Sequence, residues 1–180
     1  MIPLGRIIIE EGLVSKGDLK DRKTVRAVIL NKENQVLLVY SHLYDDYTFP
    51  GGGVMENETD EQALKRELKE EIGAHQITII KPFGRTKEMR YGLKGTDHVY
   101  MQTSHYYFCE IHEFGSQDLQ GRELVHGLEP RWISVDLAIE NNKKVMKDER
   151  HQTKGLKTVL IREIMVLNKL KELNLCANLK

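Results

Sequence analysis

Cysteine is scarce in this chain. Cys109 and Cys176 are the only two in 180 residues, far apart and with no histidine at metal-finger spacing, which excludes a disulfide framework and a structural zinc site. One buried and one surface thiol is the ordinary reading. An excess of either charge is also missing. Lys plus Arg number 27 and Asp plus Glu 27, so the formal net charge is zero, and nothing draws the chain as a whole to nucleic acid or an anionic membrane. Neither a stable nucleic-acid partner nor a membrane partner is expected. No apolar run approaches the ~18 residues of a membrane span, and Arg6, Glu10 and Glu11 interrupt the start before a secretory segment forms. A cytoplasmic location is therefore expected. Repeats and low-complexity stretches are missing too.

What is present is material for a core. With 40% hydrophobic and 30% charged residues, the composition is that of a folded chain, and its length suits one domain at ~150 residues per domain. Residues 1–23 read as an N-terminal arm: a β-branched run at Ile7-Ile8-Ile9, then a polar stretch from Ser15 to Lys23. Residues 24–180 read as the domain. Thr24 to Leu30 and Val36 to Tyr40, joined by Asn31-Lys32-Glu33-Asn34, read as a hairpin. Gly51, Gly52 and Gly53 then precede a helix whose ends are both marked. Thr59 with Gln62 forms a capping box and Gly73 a stop, predicting a helix over 60–72. Strands follow at 77–83, 99–111 and 131–134, with a polar loop over 112–129, and two helices close the chain, the last over about 156–173.

The chemistry sits on the capped helix. At ~100° per residue, Leu64, Leu68 and Ile72 share one stripe, while Glu67, Glu70 and Glu71 fall within a single arc. Like charges at these spacings cost roughly 0.2–0.5 kcal/mol per pair, and the projection turns Arg66 and the lysines elsewhere. The patch is either a tolerated solvated face or a site for a hard divalent cation, whose oxygen preference it matches.

Gly52, Glu58, Arg66, Glu67, Leu68, Glu70, Glu71 and Gly73 together satisfy G-x5-E-x7-R-E-U-x-E-E-x-G-U at every fixed position. This resembles a Nudix hydrolase. Ala74 departs from the pattern at a packing position, where a larger aliphatic residue is usual. The motif spans 52–74, and the hairpin before it and the Trp132 strand after it extend the resemblance over about 24–147. It implies an α/β fold, the Nudix-type α/β/α sandwich with a mixed central sheet. It also implies Mg²⁺, with Mn²⁺ as the alternative, held by Glu67, Glu70 and Glu71, with Glu58 assisting, Arg66 orienting the glutamates and the Gly51 carbonyl adding a ligand. The implied reaction is hydrolysis of a nucleoside diphosphate linked to another moiety X, or of a nucleoside triphosphate, by water attack at phosphorus. Glu70 and Glu123 are the candidate bases, with Glu129 behind them.

Substrate contacts are less marked. Tyr44 and Tyr47 precede the glycines and suit either base stacking or anchoring of the loop in the core, and Arg85, Lys87 and Arg90 suit either phosphates or a solvated basic loop; a small nucleotide-type partner is what the resemblance implies. His98, His105, His112 and His126 show no ligand spacing. Two rival readings stand: a silent ligand-sensing domain of the same fold, and prenyl diphosphate isomerisation, for which Cys109 is the available thiol. The apolar breadth of the last helix suggests a homodimer.

Overall fold

The computed structural model describes residues 1–14, 19–92 and 98–173. Cys176 lies outside them. Among the described residues, seven strands and four α-helices run in the order β1 (Ile8–Ile9), β2 (Leu19–Val28), β3 (Gln35–Ser41), β4 (Asp46–Thr48), α1 (Asp60–Ile72), β5 (Ala74–Tyr91), β6 (Val99–Phe114), α2 (Arg122–His126), β7 (Leu128–Ser134), α3 (Val135–Val145) and α4 (Val159–Glu172). The strands form a mixed four-stranded sheet, β1-β5-β6-β2, and an antiparallel three-stranded sheet, β4-β3-β7. In the larger sheet β5 and β6 are antiparallel, while β2 runs parallel to β6 and β1 parallel to β5.

Period-two alternation explains how two layers of helices are served at once. Val36 and Leu38 of β3 enter one core with Val135, Ala138 and Ile139 of α3 and Val166, Leu167 and Leu170 of α4. Leu37 and Val39, on the other face, enter a second core with Ala63, Leu64, Leu68 and Ile72 of α1. β6 divides in the same way, Tyr106 and Phe108 to the first core, Tyr107 and Cys109 to the second. The result is helix, sheet, helix: the α/β/α sandwich expected.

α1 forms where its sequence places it. The Thr59 hydroxyl accepts the Gln62 amide, the Gln62 side chain accepts the Thr59 amide, and Gly73 ends the helix at φ 66°. The expected hairpin of β2 and β3 is a correction. Only the turn base pairs, through Leu30 with Val36 and the Leu37 amide donating to the Ile29 carbonyl at 2.9 Å. Beyond it β2 leaves to pair with β6 from Leu19↔Val99 to Val28↔Phe108, and β3 goes between β4 and β7. β2, β3, β5, β6 and β7 are each longer than expected, and the polar loop before β7 contains α2.

The breadth of α4 is answered inside the chain. Gly5 lies so close to Met165 that a β-carbon there would meet its sulfur at 2.3 Å, and Leu4 joins the core that α4 covers. The arm runs along β5, with the Leu4 amide donating to Arg85 O and the Glu10 amide to Met89 O, both at 2.9 Å. Among the described residues no helix is long and apolar enough to cross a membrane.

Candidate active site

A cleft of about 450 Å³ opens where the glycine loop, α1, α2 and the start of α4 meet. Gly51, Gly52 and Gly53 form one wall, with Glu67, Glu71 and Glu123 beside them. An oxygen from each of these three carboxylates lies within 4.8 Å of the others. Glu67 and Glu71 are 7% and 8% exposed, an expensive place for two anions unless a cation joins them. Burial pushes the Glu71 carboxyl up to about 8, against the pull of Arg26 and of the Gly51 amide that donates to it at 2.7 Å.

The grouping differs from the helical projection in one member. Glu70 is turned toward the Arg66 Nη1, 3.4 Å away, and Glu123 of α2 stands in its place in the trio. Arg66, which the projection turned elsewhere, reaches back over the patch. Its Nε and Nη2 donate to the two Glu58 oxygens at 2.9 and 3.0 Å, its Nη1 to Glu67 at 2.7 Å and its Nη2 to Gly53 O at 2.9 Å. Those bonds to Glu58 hold the guanidinium's own pKa well above its usual value and lower that of Glu58. Glu58 thus has both oxygens engaged, the second also accepting the Met55 amide. The Gly51 carbonyl accepts from Arg26, which also donates to Phe49 O.

The glycines are steric requirements. A β-carbon at Gly52 would come within 2.3–2.4 Å of the Glu67 carboxyl atoms, and Gly51 sits at φ 129° with the Val25 carbonyl where its β-carbon would be. Gly52→Ala is therefore expected to displace Glu67 and weaken Mg²⁺ affinity about 10–100-fold while the melting temperature stays near wild type. Calorimetric titration with Mg²⁺ reads this directly; unchanged affinity would contradict the geometry.

The substrate residues expected from sequence divide. Tyr44 lines the cleft, its ring 5.1 Å from His126 and 5.6 Å from His151. Tyr47 does not. It packs against the first core and Tyr40, because β4 alternates and its neighbour Asp46 takes the cleft side. Arg85 is also outside, on the part of β5 that bonds the arm. Arg90 lines the cleft but is already committed, paired with Glu88 at 2.9 Å and donating to Gln102, Tyr91 O and Gly155 O. Glu129 pairs with His42 and Arg131, and Cys109 lies in the second core with its thiol pushed up to about 12 by burial.

Sequence reading missed Arg22, Arg26, Arg122, Asp46 and His151, all of which line the cleft. The Arg22 side chain is half-buried and makes no hydrogen bond or ion pair among the described residues. Burial and the nearby Arg90, Arg26, Arg122 and Arg162 lower its pKa. Arg26 left a signal, a charge interrupting the apolar run of β2; Arg22 left none, being one basic residue in a polar stretch.

Residues 20–155 match the NUDIX domain. An RNA pyrophosphohydrolase of Hydrogenovibrio crunogenus is 43% identical over 67 residues, covering 37% of this chain and 40% of that protein. Another, of Nitratiruptor sp., is 31% identical over 110 residues, covering 57% and 71%. The chain thus spans less than half the length of the first of these relatives. The solution structure of the E. coli ORF135 protein superposes with a TM-score of 0.53 at 21% identity, over 90% of this chain and 96% of that one, a likeness of fold.

Proposed function

The chain belongs to the NUDIX family, and from that premise we propose that it hydrolyses, with Mg²⁺, a nucleoside diphosphate linked to a second moiety or a nucleoside triphosphate. The observation that carries the reading is the convergence of Glu67, Glu71 and Glu123 on one point of a cleft whose wall is the glycine loop. Two buried anions beside a third fit a hard divalent cation, and Mg²⁺ or Mn²⁺ takes such oxygen donors. Bound there, the metal would neutralise phosphoryl oxygens and lower the pKa of a water.

The remaining roles follow from what each side chain is free to do. Arg66 positions Glu67 and Glu58 rather than meeting substrate, since its donors are taken. Arg22, whose side chain has no partner among the described residues, and Arg122, on the cleft face of α2, are the guanidinium groups available for phosphate oxygens. Among the described residues the Glu70 carboxylate is held only by the long Arg66 contact, and its pKa is raised by burial, which suits it to take the proton of the attacking water.

The test is turnover by the full chain with Mg²⁺ on nucleoside triphosphates, ADP-ribose, dinucleoside polyphosphates, nucleotide sugars and a 5′-triphosphorylated RNA oligonucleotide. Release of phosphate, pyrophosphate or a nucleoside monophosphate from at least one, abolished by EDTA, is expected. No turnover on any of them by folded protein would overturn the assignment and leave a ligand-sensing domain.

A further inference from the structure

We infer that Asp46 reads the Watson–Crick edge of a guanine, making the substrate a guanine nucleotide; the inference rests on the cleft being the nucleotide site proposed above.

Asp46 opens β4, five residues before Gly51, so the chain that supplies it runs straight on into the glycine loop. It is 6% exposed, yet its side chain lines the cleft. β4 is fixed at the next residue: Asn142 of α3 accepts the Tyr47 amide at 2.9 Å and donates to the Tyr47 carbonyl at 2.8 Å. The carboxyl group is therefore held in place, and what it lacks is donors. Apart from its own backbone amide, no described residue hydrogen-bonds to it.

Its neighbours do not supply them. His151 Nδ1 is 3.8 Å away, beyond hydrogen-bond reach. The His151 Nε2 faces the Tyr44 carbonyl at 3.1 Å, an acceptor, so the proton of the neutral ring belongs on Nε2 and Nδ1 turns a lone pair toward Asp46. Burial lowers the His151 pKa and favours that neutral form. From α4 the Glu163 carboxylate, and from the same loop Asp45, add negative charge around Asp46, which the exposed Arg150 offsets. A buried acceptor left so short of donors is costly unless a ligand brings N–H groups to it.

The purine that brings two adjacent ones is guanine, through N1–H and the 2-amino group. Adenine and cytosine offer one donor beside a lone pair, and uracil a single N–H between two carbonyls. A base at this end of the cleft also finds flat and aliphatic surfaces, with Tyr44, His126, Leu156 and Val159 among the lining residues.

The test is calorimetric binding of GDP, IDP and ADP to the full chain in EDTA, so that neither metal nor turnover enters. It is run at pH 8.5, because burial pushes Asp46 up to about 7 and the ionised carboxylate is then the main form. GDP is expected to bind about tenfold or more tighter than ADP, with IDP, which lacks the 2-amino group, between them. Asp46→Asn, of the same shape but offering one donor beside one acceptor as the adenine edge requires, is expected to bring GDP to within about threefold of ADP. Equal binding of GDP and ADP by the natural chain, binding of neither, or a GDP preference that survives Asp46→Asn would each overturn the inference. The two proposals separate: turnover without base preference sinks this one alone, and selective GDP binding without turnover on any substrate sinks only the hydrolase reading.

Discussion

Glu71→Gln is expected to lower Mg²⁺-dependent turnover about 10³-fold, with the melting temperature at or above that of the natural protein. The side chain is 8% exposed, and its carboxylate accepts the Gly51 amide at 2.7 Å. Glutamine keeps that bond through its amide oxygen, so the loop stays where it is. What it removes is the charge beside Glu67 and Glu123, and with it the affinity for a cation. Burial already holds the Glu71 carboxyl up at about 8, so a neutral amide of the same shape costs the fold little and lost activity cannot be put down to unfolding. Glu70→Gln is the companion measurement. Because Glu70 stands outside the trio, turnover is expected to fall about 10²–10⁴-fold while Mg²⁺ titration matches that of the natural protein. A fully active Glu71→Gln would remove the cation site; a Glu70→Gln that loses Mg²⁺ affinity would return Glu70 to it.

The largest effect on stability is expected at Arg162→Leu. Arg162 is 3% exposed on α4, between two carboxylates that are 0% exposed. It pairs with Glu88 of β5 at 3.0 Å and with Glu163 at 2.6 Å. Glu163 in turn accepts the Phe49 amide at 2.9 Å, and Glu88 also pairs with Arg90. Truncation leaves both carboxylates buried with a cation gone, which costs about 3–5 kcal/mol, or about 10 °C in melting temperature for a chain of this size. Thermal unfolding followed by circular dichroism measures it. Since Phe49 leads into the glycine loop, activity at temperatures below the melt is expected to fall as well. A shift of only about 1 °C would mean that water reaches the cluster.

The parts legible in the sequence are those fixed by near neighbours. α1 needs only Thr59, Gln62, Gly73 and its Leu64, Leu68, Ile72 stripe, and it forms as read. The acidic arc was visible for the same reason. Its completion was not, because Glu123 arrives on α2 from a distant loop, and because Arg66 finds Glu58 in the turn before the helix rather than a neighbour on it. β2 and β3 have hairpin-like sequences, but the partners that decide their pairing are β6 and β7, which local pattern does not reveal. Alternation in β5, broken at Ile79/Lys81 and at Pro82/Gly84, decides that Arg90 reaches the cleft and Arg85 does not. Arg162 and Glu163 were hidden in another way: no local pattern marks a charged pair on this helix as buried, yet they lie 3% and 0% exposed beneath it.

β3 presents Val36 and Leu38 to one core and Leu37 and Val39 to the other, all at most 2% exposed. Both halves of the interior therefore share a single plank. A one-residue insertion in that strand would swap its faces and spoil both at once, and neither half retains a complete interior if the chain is split there. The molecule should accordingly melt in one cooperative step, and circular permutation or fragment complementation should fail for any cut within 35–41 while being tolerated at exposed turns.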